Sequence, residues 1–137
     1  MNREALLNLV KMSYAAFAAR DLPKLCALSA PDCTYEAPGV PEFMPWAQRH
    51  VGHEGIAHFV AALDEHLIFL HFQPTEFIVD EVQGAIVVLG RAECRSKATG
   101  RSYVNHWAHL FKVRDDHVVL FREYPDTAAQ LLAVRND

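Results

Sequence analysis

The sequence has little that would tie it to a cofactor, a metal or a polyanion. It holds only six glycines in 137 residues and no glycine-rich phosphate loop, so nucleotide cofactors are not implied. The three cysteines, Cys26, Cys33 and Cys94, show no CxxC spacing. An odd, sparse count argues against a disulfide framework and for a reducing, cytoplasmic setting. No basic run accompanies the net charge of −4, which makes nucleic acid and anionic membrane surfaces poor partners. No apolar run reaches spanning length, and MNREALLNLVKMSY lacks the apolar core and small-residue cleavage site of a signal peptide. There are eight histidines, yet none falls in the HExxH spacing that puts two imidazoles on one helical face. His50, His53 and Glu54 read HxxHE, and His106 and His109, three apart on a strand, point to opposite sides. Neither a metal nor an organic cofactor is expected.

What is present is an ordinary globular balance, 51% hydrophobic and 22% charged, fitting a single domain over residues 1–137 with a real core. Asn2–Arg20 reads as an amphipathic helix with Leu7, Val10, Tyr14 and Phe17 on one stripe. Asp21 caps a second, short helix over Leu22–Leu28, with Pro23 in its first turn. Cys33–Glu36 is a short strand stopped by Pro38-Gly39. In Val40–Val51, Pro41 and Pro45 bracket Phe43, Met44 and Trp46. Such a segment either tucks onto its own core or covers a pocket mouth. Gly52–Leu70 gives a third helix with Ile56, Phe59, Val60, Leu63 and Leu67 aligned. Thr75–Val82, Ala85–Lys97, Ser102–Val113 and His117–Tyr124 read as strands, and Asp126, or Thr127 with Gln130, caps a closing helix through Ala133. Helices followed by a strand meander indicate an α+β fold, a curved antiparallel sheet with helices on one face.

The most informative stretch is SYVNHWAHLFKVRDDHVVLFREYPD, from Ser102 to Asp126. Alternation puts Tyr103, Asn105, Trp107, His109, Phe111 and Val113 on one face of the first strand. The return strand divides into Val119, Phe121 and Glu123 against Val118, Leu120, Arg122 and Tyr124. The turn decides which sets meet. A two-residue loop on Asp115-Asp116 would oppose His109 to Arg122 and leave Glu123 on the other side. A three-residue loop on Arg114-Asp115-Asp116 is expected instead, since it needs only one left-handed residue and aspartate tolerates that conformation. His109 and Glu123 then become diagonal neighbours among large apolar groups.

Several segments in order resemble the NTF2-like superfamily, in its SnoaL-like, ketosteroid-isomerase-related branch. They are YAAFAARDL, APDCTYEAPG, GHEGI, ATGR and the ending FKVRDDHVVLFREYPDTAA. The resemblance implies an NTF2-like cone enclosing a cavity, and a homodimer packed through the sheets. Ketosteroid isomerases carry a catalytic aspartate just before the proline of the segment resembling TYEAPG. That position is Ala37 here, so a true ketosteroid isomerase is not expected. Their oxyanion-hole acid aligns with His109, and their helix-one tyrosine near Ser13, one step from Tyr14. The polyketide-cyclase members use a histidine and an acid on the final strands. His109 and Glu123 match that placement, with glutamate where those enzymes carry aspartate.

The expected function is therefore cofactor-independent acid–base proton transfer, of isomerase or cyclase type, on a small apolar carbonyl compound. His109 and Glu123 are the candidate catalytic pair, since imidazole titrates near neutrality and a neighbouring carboxylate can orient it or take the proton. Phe17, Trp46, Trp107, Phe111 and Phe121 would wall the substrate site. Tyr14 and Tyr35 would aim hydroxyls into it, and Asn105 would donate to a carbonyl. Glu36, beside the missing base, is one step off the inward face and reads as an edge residue. The alternative is a non-catalytic ligand-binding or dimerisation module, in which the same pair merely fills a core. The apolar outer face, with Ala108, Leu110, Val118, Leu120 and Tyr124, is the expected homodimer surface.

Overall fold

The computed structural model describes residues 1–136. Four helices, α1 (Arg3–Ala18), α2 (Leu22–Ala27), α3 (Gly52–His66) and α4 (Thr127–Val134), accompany six strands. The strands are β1 (Ser29–Glu36), β2 (Arg49–Val51), β3 (Leu67–Asp80), β4 (Ala85–Ser96), β5 (Ser102–Arg114) and β6 (His117–Tyr124). They form one unclosed sheet in the order β2-β1-β6-β5-β4-β3. Every pairing is antiparallel except that of β1 with β6. The α+β class and the NTF2-like cone layout expected from the sequence are what the chain adopts. None of the helices among the described residues is long and apolar enough to cross a membrane.

Local chemistry sets most helix starts. Asn2 accepts a hydrogen bond from the Ala5 N–H at 2.9 Å, Asp21 from Lys24 at 3.1 Å and Asp126 from Ala129 at 3.0 Å. Each such cap is worth about 1 kcal/mol. The buried stripe of α1 is Leu6, Leu9, Val10, Ser13 and Ala16, rotated from the expected Leu7–Val10–Tyr14–Phe17 line. Tyr14 and Phe17 instead sit at its edge, against the rings of β3 and β5.

The third helix ends earlier than its periodicity suggests. Leu67 and Leu70 continue the helical spacing, but the backbone is already extended at Leu67 (φ −126°, ψ 147°). The segment from Leu67 onward pairs with β4, Leu67 opposite Ser96 and Phe72 opposite Ala92. Long-range pairing overrides the local pattern, and Phe69 and Phe72 turn inward as a result. Bulges between Phe69 and His71, and again between Pro74 and Glu76, let the strand curve and accommodate Pro74.

The β5–β6 hairpin differs from expectation in an instructive way. Its loop is the two-residue turn on Asp115-Asp116, with both residues left-handed (φ 52° and 64°) and Arg114 opposite His117. Taken alone this would send Glu123 to the outer face. However, Val113 pairs with Val118 while Lys112 pairs with Leu120, so Val119 is an extra residue bulged from β6. The bulge flips the remainder of the strand. His109 then lies directly opposite Glu123, and Phe111 opposite Phe121. Val118, expected on the outer face, is 1% exposed and belongs to the core.

The loop before β2 tucks inward. Met44 and Trp46 are fully buried, and the loop closes through Phe43 and Met44 N–H groups donating to the Val40 carbonyl.

Candidate active site

Between α1 and the inner sheet face lies a hollow lined by Tyr14, Phe72, Trp107, His109, Phe121 and Glu123, among others. With its solvent-facing mouth the cleft measures about 680 Å³, but its cavity volume is only about 60 Å³. The smaller figure bounds a rigid ligand. It is room for a few waters and far below the several hundred cubic ångströms usual for ligand sites. Side chains therefore fill most of the cone, and a ring-sized ligand requires the aromatics to shift. A wider groove, about 460 Å³ by the same measure, runs past Pro45, His50, Glu54 and His58 on the outside and shares no lining residue with the hollow.

A hydrogen-bonded chain crosses the hollow. The Tyr14 hydroxyl lies 2.8 Å from His109 Nδ1, and His109 Nε2 lies 3.2 Å from Glu123 Oε2. His109 is 3% exposed and the Glu123 side chain 14%. Burial depresses the imidazole pKa, against the opposing hydrogen bond and charge of Glu123. Burial, reinforced by the Glu123 charge, pushes the Tyr14 hydroxyl well above its ordinary range. A neutral tyrosine, a neutral imidazole and an ionised carboxylate have one consistent pattern. The Tyr14 hydroxyl donates to Nδ1, and Nε2–H donates to Oε2.

Rings hold the imidazole in place. Trp107 stacks on His109 with centroids 3.9 Å apart and planes 15° apart, and Phe72 packs near-parallel beside both, 5.0 Å and 11° from Trp107 and 6.3 Å and 24° from His109. Phe121 meets His109 edge-on at 4.7 Å. Gly90, opposite Trp107 on β4, makes this stack possible. A Cβ there would lie 2.1 Å from Trp107 Cζ2.

Not every buried polar atom is satisfied. Among the described residues, five such atoms lack a partner: Trp46 Nε1, under its own loop, and Glu123 Oε1, Trp107 Nε1, Tyr103 Oη and Gln130 Oε1, whose four residues line the hollow. Such atoms carry a free-energy cost until something pairs with them. No three His, Cys, Asp or Glu side chains among the described residues converge as metal ligands would.

Of the residues singled out from the sequence, the structure brings Tyr14, Phe17, Tyr35, Asn105, Trp107, His109, Phe111, Phe121 and Glu123 to the hollow. Trp46 does not reach it. It is fully buried beside His66 under its own loop. Asn105 lines the wall, but its Oδ1 accepts the Asp126 N–H at 2.7 Å and so seats α4. Ala37 is buried at the end of β1 and offers only a methyl group. Glu36 faces outward to Arg122 at 3.4 Å. Tyr103, Gln130, Phe72 and Gly90 were not singled out. Tyr103 shares the alternation of His109 and was legible on that basis. Phe72 lies where a loop was expected, and the part played by Gln130 and Gly90 depends on contacts far apart in sequence.

Stability should depend on His109 in a defined pH window. An unfolded histidine titrates near pH 6.5, whereas burial holds the folded imidazole lower. Below pH 6.5 the unfolded state binds the proton and the folded state does not. Stability is thus fully present above that pH and is lost as pH falls towards the folded value, by at most about 1.4 kcal/mol per unit for one proton. Denaturant unfolding between pH 7.5 and 5 should give a steeper slope for the wild type than for His109→Gln. Equal slopes would mean the imidazole takes up its proton at the same pH folded and unfolded, so that burial does not depress it.

The sequence profile of a SnoaL-like domain matches residues 10–121. Among solved structures, an NTF2-like protein from Burkholderia xenovorans LB400 superposes with a TM-score of 0.89 at 30% identity, covering 98% of this chain and 99% of that one. An NTF2-like protein of unknown function from Burkholderia pseudomallei K96243 gives 0.87 at 27% identity, covering 99% and 100%. TerC, co-crystallised with polyporic acid, gives 0.84 at 23% identity, covering 96% and 99%. No curated protein matches the chain.

Proposed function

The chain belongs to the SnoaL-like domain family of the NTF2-like superfamily, and we propose that it takes a small, mostly apolar carbonyl compound into the hollow and moves a proton alpha to the carbonyl. One observation carries this reading. A buried Tyr14–His109–Glu123 chain ends on a carboxylate whose second oxygen is buried without a partner, on a residue that lines a mostly apolar hollow. Both imidazole nitrogens are already engaged, so the open base is Glu123 Oε1, and His109 orients it through Nε2–H. Oε1 takes the alpha proton, and the C–H electron pair moves through the carbon–carbon bond onto the carbonyl oxygen as an enolate. The unpartnered Trp107 N–H is the donor available to that oxygen. Return of the proton from Glu123 to another carbon gives an isomerase. Capture of a second carbonyl by the enolate carbon, with the Glu123 proton passing to the alkoxide oxygen that forms, gives a cyclase. That TerC, a fold neighbour, was co-crystallised with a small organic ligand supports the class of ligand, not its identity.

The narrowness of the hollow, about 60 Å³, favours the second reading, a ligand-binding or dimerisation module without turnover. The two readings separate by experiment. In heavy water, the wild type should wash deuterium into the alpha position of para-hydroxyacetophenone faster than buffer, followed by NMR, and Glu123→Gln should not.

The outer sheet face completes the proposal. Ile78, Val87 and Leu110 form one cross-strand apolar row, and Leu89, Ala108 and Tyr124 the next, with Ile78 56% and Tyr124 51% exposed. A second copy packing isologously there would cover them. Sedimentation at micromolar concentration should give a dimer, and Leu110→Arg a monomer. A monomeric wild type would refute the assignment.

A further inference from the structure

The hollow has two polar ends, and the reaction proposed above uses only one. The second lies beneath α4, where Tyr103 from β5 and Gln130 from the middle of α4 meet. Tyr103 is 8% exposed and Gln130 3%; the Gln130 amide and the Cys94 thiol lie close enough to act on the Tyr103 hydroxyl, yet neither that hydroxyl nor Gln130 Oε1 completes a well-formed hydrogen bond. The corner is built, not incidental. Asn105 Oδ1 holds the Asp126 N–H at 2.7 Å, and the Asp126 side chain caps α4, which fixes Gln130 above β5. Natural interiors seldom leave two adjoining polar side chains unpaired against a cavity unless a partner comes from outside.

The chemistry of that partner is constrained. Tyr103 offers one donor and one acceptor, and Gln130 an acceptor as placed. The described lining holds no Lys or Arg, and the Glu123 charge reaches both the Tyr103 hydroxyl and the Cys94 thiol. Burial raises the neighbouring Cys94 thiol to about 11 and the Tyr103 hydroxyl further still. A carboxylate would meet this desolvation with no cation to balance it, and it would share the hollow with Glu123. An ammonium group would lose its hydration for two neutral dipoles. A hydroxyl group both donates and accepts, and its desolvation is small by comparison.

Resting on the reading that a carbonyl ligand enters the hollow, we propose that the Tyr103–Gln130 corner is a second subsite that takes a hydroxyl of that ligand. The substrate is then a hydroxy-carbonyl compound, with its reacting carbonyl at Glu123 and Trp107 and its hydroxyl under α4. The wall made by Phe72, Trp107 and His109, whose planes lie 11° to 24° apart, suits a planar ring between the two groups.

The test compares two probes by titration calorimetry, acetophenone and para-hydroxyacetophenone. The wild type should bind the hydroxylated probe about tenfold more tightly. Tyr103→Phe, which removes one oxygen and keeps the ring, should cut that preference to near unity, and Gln130→Met should do the same by a change in the other partner. Acetophenone affinity should stay within about twofold in both variants. Equal binding of the two probes by wild type, or a preference that survives in both variants, would overturn the subsite and leave the Glu123 chemistry standing. Failure of either probe to bind would overturn it too. Loss of deuterium exchange in the wild type, with the probe preference intact, would instead sink the catalytic reading alone.

Discussion

Glu123→Gln is expected to lower alpha-proton exchange by about 10²–10⁴-fold, the usual worth of a positioned general base, while leaving the fold intact. Glutamine has nearly the same shape. Its amide oxygen can still accept the His109 Nε2–H that Glu123 Oε2 accepts at 3.2 Å, so the imidazole keeps its tautomer and its stack on Trp107. What is lost is basicity at Oε1, the buried oxygen that has no partner. Initial exchange rates for the two proteins, measured at equal unfolding midpoints, check this. Exchange that survived in Glu123→Gln would move the base to His109 or Tyr14, whose nitrogen and oxygen face each other at 2.8 Å. His109→Ala would be a blunter tool. It removes the orienting donor and also leaves a cavity between Trp107 and Phe121, so activity and packing would change together.

The pairing of His109 and Glu123 shows what the sequence carries and where it stops. Alternation in β5 put the right side chains inward, because a half-buried strand has a strict period of two. That both residues share a face was expected from a three-residue loop that does not form, and it holds because the bulge at Val119 offsets the tighter turn. The register that joins them was not legible. A two-residue turn with two left-handed aspartates is disfavoured against Asn-Gly or Asp-Gly, yet it is the turn that forms, and the bulge at Val119 restores the face. Nothing in His117-Val118-Val119-Leu120-Phe121 marks a bulge, since any of three adjacent aliphatic residues could be the extra one. Only the core, which takes both Val118 and Phe121 inward, decides. The same limit hid Phe72. Leu67 and Leu70 extend the spacing of α3, and only pairing with β4 reveals a strand there. Trp46 is the opposite case. A large apolar side chain on a proline-bounded loop must be covered by something, and sequence cannot say whether by ligand or by its own core.

Gly90→Ala should destabilise the protein by about 1–3 kcal/mol or more, the cost of overpacking a filled interior. The sign is opposite to that expected for a strand glycine, where alanine usually helps by restricting the unfolded chain. Gly90 carries no left-handed strain, so its backbone would accept alanine. The cost comes wholly from contact. The added Cβ would lie 2.1, 2.4 and 2.6 Å from three atoms of the Trp107 ring, distances that no side chain tolerates. Trp107 cannot retreat, for it is 3% exposed and packed against Phe72, His109 and Tyr14. Either the strands separate at β4–β5 or the indole tips, and tipping drags the imidazole from Glu123. Denaturant unfolding followed by tryptophan fluorescence checks the first consequence, and the exchange rate the second. Trp107→Phe in the same chain should make Gly90→Ala less costly than the sum of the two single changes, since a smaller ring vacates the contested space. Strict additivity would mean the two residues do not touch. In that event the flat stack beside His109 would have some other cause than the missing side chain beneath it.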